Sequence, residues 1–424
     1  ESLVAHATSS YNTGWMHGDT KLATLSDTEA VNNFEYVEGY GDFTAGSEWT
    51  TNTGWSTSGN VATKTGGTGS NYISKSLGTS LVSGKWYQAE FDLLSGSANS
   101  VQLVNRNTNG TTKPYSGGAN NVDVAFFAVG SKGYAIWKQS GINTGIISLY
   151  AGSAVSVDNL KVYEINAHDR NGNNVNNHLL RVGAITKTAV ATGADLVAYS
   201  GFSANNYLLQ PYNAALNFTN EFSISFWVKN WSAGQDLLHR GPGQTRNSKT
   251  SFHMYCDGGY DYRLTLTSNG SSEQTFEIPL SGNLTGWQNV CFTLTPGGAV
   301  RGYLNGRLEF TGAFTGTNIF TQATDQNGLY IGDGPVSAAF GGSLALLRLS
   351  ATAPTPEQIA KMYNDEKHLF QTNAKATLYG SSDAVTALAY DDDTELLHVG
   401  TSAGRSVFQG LNRVDNTTDA VGAA

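Results

Sequence analysis

Proteins hold sugars with flat aromatic rings that cover the C–H faces, and with amides, carboxylates and guanidinium groups that bond the hydroxyls. Residue types suited to that chemistry gather in two places. The first third of the chain holds Trp86, Trp137 and Tyr115, with Trp49 as a further ring and Arg106, flanked by Asn105 and Asn107, as polar partners. Within KWYQAEFDLL, 85–94, alternation places Trp86, Gln88, Glu90 and Asp92 on a polar strand face. Tyr87, Ala89, Phe91 and Leu93 then take the core, and Trp86 is the leading ring. The second cluster is CDGGYDYR, 256–263, where Asp257, Tyr260, Asp261 and Arg263 crowd a loop between two strands. Loops at the ends of a scaffold carry function more often than strands do. Both clusters also have a plain structural reading, since Trp and Tyr fill β cores and an acidic loop tip is simply solvated.

Other chemistries find little footing. His6 and His17 stand alone, without the Cys, His or Asp companions of a metal site. No nucleophile elbow, His-Glu-x-x-His motif or phosphate loop is expected. Asp391, Asp392 and Asp393 read as a turn, and Glu357 and Glu366 as residues on an exposed helix. Cys256 and Cys291 could pair if strand 251–256 neighbours strand 289–295; the favoured reading is two free, buried thiols.

The elements that must position these residues are short strands. Of 424 residues, 49 are Gly, 11% are aromatic and only 14% are charged, the profile of all-β extracellular or virion proteins with many turns. The formal charge of −9 and the lack of any basic run exclude nucleic acid and anionic membranes as partners. No apolar stretch is long enough to cross a bilayer. The chain starts at Glu1 with no secretory-signal pattern, so a processed product or part of something longer is expected. Strands are predicted at 60–65, 71–77, 85–94, 100–105, 122–129, 133–138, 145–150 and 154–163, at sandwich spacing. Further on, Val290, Phe292 and Leu294 alternate with Cys291, Thr293 and Thr295, Pro296-Gly297-Gly298 supplies a turn, and Asn305-Gly306 suits a type I′ hairpin. A helix is signed at 355–370 by Thr355, Pro356 and Gln358, with Ile359, Met362, Tyr363, Leu369 and Phe370 facing the core.

Trp287, the strand after it, the Gly turn and Tyr303-Leu304-Asn305-Gly306 together resemble the laminin-G/pentraxin group of concanavalin-A-like lectin domains. EFSISFWVKN (221–230), GLYIGDG (328–334) and the stretch 341–370 fall in that family's order, so the resemblance covers 195–370. It implies a two-sheet sandwich that binds sugars, proteins or lipids. The minority of such domains that hydrolyse glycans carry a Glu-x-Asp-x-x-Glu strand, which this chain lacks, so a non-enzyme is expected. The family usually has a packing aromatic where Trp227 stands, and some members hold Ca²⁺ in loops like the one containing Asp257 and Asp261. Earlier in the chain, Gly41-Asp42-Phe43, Gly54-Trp55 and Val157-Asp158-Asn159-Leu160 resemble carbohydrate-binding-module jelly rolls. That resemblance implies a structural Ca²⁺ held by Asp158, Asp42 and Glu38.

The tail, with Val385-Thr386-Ala387-Leu388-Ala389-Tyr390-Asp391 and Gly404-Arg405-Ser406-Val407-Phe408, looks like one blade of a β-propeller. The extended piece around Trp15 to Leu25 is expected to pair with it. The fold class expected is all-β: two antiparallel β-sandwiches, a jelly roll and a concanavalin-A-like one, plus propeller-like terminal strands. The divisions are 1–33 as an N-terminal segment of the propeller-like scaffold, 34–166 as jelly roll, 167–194 as connector, 195–370 as lectin-like domain and 371–424 as blade-like tail. This combination resembles marine bacteriophage tail-fibre or appendage proteins. The resemblance implies a virion or extracellular location, host cell-surface polysaccharide and other virion proteins as partners, and a homo-oligomer. Two alternatives stand beside it: a purely structural virion scaffold, and the accessory region of a secreted glycanase.

Overall fold

The computed structural model describes residues 19–25, 35–36, 43, 49–66, 72–76, 86–96, 101–106, 124–129, 132–138, 146–151, 153–165, 179–210, 213–242, 250–268, 272–316, 318–321, 327–333, 338–374, 385–409 and 412–417. The chain forms two compact units, Asn33–Asn166 and a second made of Glu1–Asn32 with Ala167–Ala424. Strand β1 (Thr20–Thr24) therefore precedes the first unit in sequence but belongs to the second.

Unit 33–166 contains β2 (Glu35–Tyr36), β3 (Thr50–Thr51), β4 (Trp55–Ser58), β5 (Val61–Lys64), β6 (Tyr72–Ser76), β7 (Trp86–Ser95), β8 (Val101–Arg106), β9 (Val124–Val129), β10 (Lys132–Lys138), β11 (Ile146–Ala151) and β12 (Val155–Ile165). One sheet runs β4-β5-β12-β7-β10-β9 with β2 on β12, and the other runs β3-β6-β11-β8; every pairing is antiparallel. Ile73 and Leu149 of the smaller sheet share one apolar cluster with Tyr87, Phe91, Val157 and Val162 of the larger, so the two face each other across a core. Along β7 the core alternation holds at Tyr87, Ala89 and Phe91. The opposite face differs from expectation: Gln88 and Glu90 are buried as well. The reason is position, because β7 lies mid-sheet between β12 and β10, and Glu90 accepts a hydrogen bond from the Tyr163 hydroxyl at 3.1 Å. A buried carboxylate needs such a partner.

The second unit contains β13 (Leu180–Val182), β14 (Thr186–Ala189), β15 (Val197–Ser200), β16 (Tyr207–Gln210), β17 (Phe222–Lys229), β18 (Gln235–Pro242), β19 (Phe252–Cys256), β20 (Tyr262–Ser268), β21 (Ser272–Ile278), β22 (Gln288–Leu294), β23 (Ala299–Leu304), β24 (Arg307–Ala313), β25 (Asn327–Ile331), β26 (Ala338–Ala339) and β27 (Ser343–Ser350). Helix α1 (Pro356–Glu366) and a 3₁₀ turn, Lys367–Phe370, follow. Sheet I runs β14-β15-β27-β17-β22-β23-β24, and sheet II runs β13-β16-β25-β18-β19-β20-β21 with β26 on β18. The expected connector thus contributes two strands, β13 and β14, to the sheets. Asn305 and Gly306 both have positive φ, 52° and 76°, as a type I′ turn requires.

The N-terminal piece corrects an expectation. Its partner is β27 of sheet I and not the far end of the chain, with Leu22 opposite Leu349 and fully buried. Polar anchors hold its start: the Asp19 amide donates to the Thr352 hydroxyl at 2.7 Å, and the Asp19 carbonyl accepts from the Ser350 hydroxyl at 2.9 Å. An apolar β-rich stretch joins whichever sheet leaves an edge for it, and that choice is not local to the sequence.

Helix α1 carries the expected capping box, in which the Thr355 hydroxyl accepts from the Gln358 amide and the Gln358 side chain accepts from the Thr355 amide. Ile359, Met362 and Leu369 are buried, and Trp227 stacks on Phe370 at 4.1 Å. Trp227 is therefore a packing ring. Glu366 departs from the exposed position expected of it: it is buried, accepts from Trp227 Nε1 at 2.8 Å and pairs with Arg348. Cys256 lies in sheet II and Cys291 in sheet I, and both are free and buried.

The tail is a four-stranded antiparallel meander of β28 (Val385–Asp391), β29 (Leu396–Thr401), β30 (Gly404–Gln409) and β31 (Asn412–Thr417).

Candidate ligand-binding face

Strands β18 to β21 of sheet II alternate in chemistry, apart from a bulge at Leu237 in β18. One face carries the cross-strand row Ile331, Leu238, Met254, Leu264 and Phe276, all apolar and buried. The opposite face carries Tyr330, His239, His253, Thr265 and Thr275 in register, and beside them Asp236, Tyr255, Arg263 and Glu277. A sheet face this rich in hydrogen-bonding groups is the natural place for a polar ligand.

The rings lie against each other. His239 stacks on Tyr330 at 4.8 Å, with planes 2° apart, and His253 stacks on Tyr255 at 4.7 Å. His239, His253 and Tyr330 are buried, so this part of the row is closed to solvent. Asp236 Oδ1 lies 2.9 Å from His253 Nε2, with both side chains buried. Among the described residues, no hydrogen-bond partner meets His253 Nδ1. Burial, aided by Asp333, pushes the Tyr330 hydroxyl up to about 12, so it stays a donor at neutral pH.

The row opens to solvent at Tyr255, Arg263 and Glu277. Arg263 Nη2 reaches Asp257 Oδ2 at 2.8 Å and Glu277 Oε2 at 2.9 Å, and all three side chains are partly exposed. Desolvation works against the guanidinium charge. The hydrogen bond to Tyr255 and the two carboxylates outweigh it and raise the Arg263 pKa above its ordinary value.

Of the residues singled out in the sequence, Asp257, Tyr260 and Asp261 come together here, at the hairpin joining β19 to β20. Their polar atoms serve the hairpin. Asp257 Oδ1 accepts from the amides of Gly259 and Asp261 at 2.8 and 2.9 Å, and Asp261 Oδ1 accepts from the Leu280 amide at 2.8 Å. Tyr260 sits at φ 76° and its carbonyl accepts from Cys256 Sγ. The first-unit residues are not gathered. Trp86 is opposite Lys138, whereas Trp137 is opposite Tyr87, so the backbone sets Trp86 and Trp137 on different faces of one sheet. Arg106 is in the other sheet, opposite Ile146. Tyr115, Asp42 and Glu38 lie outside the described residues.

Asp158 is opposite Asp92, and Asn159 (φ 53°) ties the two together: its amide donates to Asp158 Oδ1 and its Nδ2 to Asp92 Oδ2, both at 2.7 Å. Asn159 thus already occupies part of the described portion of the expected calcium set. Among the described residues, no three His, Cys, Asp or Glu are placed to hold a metal ion. The spacing Gly-x-Ser-x-Gly does occur, at 400–404, but it forms the turn between β29 and β30 and not a strand-to-helix elbow.

Sequence reading missed His239, His253, Asp236 and Tyr330. The signal was present in Phe252-His253-Met254-Tyr255-Cys256, where two polar rings alternate with apolar residues.

Residues 202–360 match the concanavalin A-like lectin/glucanases superfamily. The second unit therefore contains a lectin-like sandwich, and the molecule is all-β. Domain 4 of AbnA, a GH43 extracellular arabinanase from Geobacillus stearothermophilus solved with arabinotriose, is similar at 21% identity and a TM-score of 0.35, over 46% of this chain and 91% of that one. The botulinum neurotoxin serotype G binding domain is similar at 10% identity and a TM-score of 0.36, over 57% of this chain and 60% of that one. The binding domain of Paraclostridial Mosquitocidal Protein 1 gives 13% and 0.37, over 60% and 65%. The chain thus spans less than two thirds of the length of either toxin domain. No curated protein sequence matches.

Proposed function

We propose that this chain is a non-catalytic, glycan-binding attachment protein, and that its lectin-like sandwich receives the sugar on the polar face of sheet II. The observation that carries this reading is the partly exposed Tyr255–Arg263–Asp257–Glu277 cluster, which continues the buried Asp236–His253 row on a domain of lectin-like fold. Arg263 donates, Glu277 accepts, and Tyr255 bonds Arg263 from the neighbouring strand, a set suited to vicinal hydroxyls. The non-catalytic part rests on what the carboxylates do. Asp236, Asp257, Asp261, Glu277 and Glu366 are held by His253, the hairpin amides and Arg263, the Leu280 amide, Arg263, and Arg348 with Trp227. A glycosidase needs a carboxyl pair open to the scissile bond.

The setting we propose is a virion surface, facing host polysaccharide, on the resemblance of the terminal stretches to tail-fibre proteins. A glycan array read with and without EDTA tests the binding and any calcium requirement together. Binding to a defined set of sugars is expected, with affinity falling about tenfold or more, roughly 1.4 kcal/mol, in Arg263→Ala. Silence of the well-folded chain under both conditions overturns the reading, as does release of reducing ends from a bound glycan. Antibody labelling of purified virions that carry this chain tests the location, with label at the particle periphery expected.

A further inference from the structure

The charges on the polar face of sheet II bear on which sugars it can admit, an inference that rests on the glycan-binding reading above. Strands β18 to β21 and β25 contain two basic residues, Arg240 and Arg263. Arg240 belongs to the apolar face. It stands in register with Leu329, Phe252 and Leu266, is fully buried, and donates from Nη2 to the Asn213 carbonyl at 3.0 Å and to Asn217 Oδ1 at 2.6 Å. Arg263 is therefore the one Arg or Lys that these strands present on the polar face.

Its charge is already matched twice. Nη2 alone meets Asp257 Oδ2 at 2.8 Å and Glu277 Oε2 at 2.9 Å, so two carboxylates face one guanidinium. Further acids stand around them. Asp261 closes the same hairpin, and it and Asp257 both raise the pKa of the Cys256 thiol. Exposed Glu273 shares the Glu277 face of β21, and Asp333 lies beside Tyr330.

Glu277 is the most open member of the cluster, its side chain 45% exposed. With Oε2 turned to Arg263, Oε1 is left to accept a proton from a sugar hydroxyl. Tyr255, which bonds Arg263, stacks on His253, whose buried Nδ1 meets no partner among the described residues. The opening thus has hydrogen-bonding groups unmet and its positive charge already met. A sugar carboxylate or sulfate has no proton to give Glu277 at neutral pH and would add a third negative charge beside a single guanidinium.

We propose that this face selects neutral glycans, and that Glu277 and Asp257 exclude sugars bearing carboxylate or sulfate groups. The test is an array, read with the full chain, that sets each neutral glycan beside its sialylated, uronate-containing and sulfated counterparts. Binding is expected to favour the neutral member by about tenfold or more, roughly 1.4 kcal/mol. High salt is expected to narrow that ratio by screening the exposed carboxylates. Glu277→Gln is expected to lower the ratio, whereas Glu357→Gln, the same change of net charge on helix α1, leaves it as it was. A preference for the acidic counterparts overturns the proposal and leaves the glycan-binding reading standing. So does a ratio indifferent to both salt and Glu277→Gln. Silence toward every glycan overturns the glycan-binding reading, and the proposal falls with it. If Glu277→Gln fails to fold, the salt dependence of the wild-type ratio decides alone.

Discussion

Glu366 organises the space beneath α1, because one carboxylate accepts from Trp227 Nε1 and pairs with Nη2 of the buried Arg348. Removing one member of a buried pair leaves the other charge without compensation, at a cost of about 3–5 kcal/mol. Glu366→Ala should therefore lower the urea midpoint sharply, whereas Glu357→Ala, on the solvent side of the first turn, should leave it nearly unchanged. The thiols set a pH limit. Burial pushes Cys256 up from 9.0 to about 12, with Asp257 and Asp261 adding to the effect. Cys291 reaches about 12 mainly through burial, against the opposing pull of Arg348 and Ser225. A group whose folded pKa is raised contributes its stability fully below the unfolded value and loses it as pH climbs. Urea titrations from pH 8 upward should show stability falling between 9 and 12, with a shallower fall in the Cys256→Ala/Cys291→Ala variant.

Strand β1 and the Asn305-Gly306 turn stand at opposite ends of what a sequence reveals. The turn was legible because its requirement is local: two consecutive residues at positive φ, one of them Gly. A Cβ at Gly306 would also meet Tyr363 Cβ at 2.9 Å, so Gly306→Val should cost at least about 1–2 kcal/mol from the left-handed backbone alone and lower the melting temperature. The partner of β1 was not legible, because alternation marks a strand without naming the edge it joins. Leu22→Ala should destabilise the lectin-like sandwich by about 2–5 kcal/mol, readable as loss of protease resistance in the second unit while the core of Asn33–Asn166 stays protected.

For the molecule as a whole, composition and turn spacing led to the all-β class, and the motif order led to the lectin-like sandwich. The candidate face was only half visible. Asp257, Tyr260 and Asp261 were found because a Gly-rich acidic loop stands out, yet His253 and Tyr330 gain meaning only when four strands separated in sequence line up in register. Asp19 and Thr352, which close the sandwich at one end of β1, are 333 residues apart. That separation bears on synthesis. The unit at 33–166 can finish folding while the ribosome is still at work, since among the described residues its strands pair only with each other. Strand β1 must wait, its leucine uncovered, until Ser343–Ser350 has been made. A polypeptide cut short before that point leaves Leu22 without the strand that covers it.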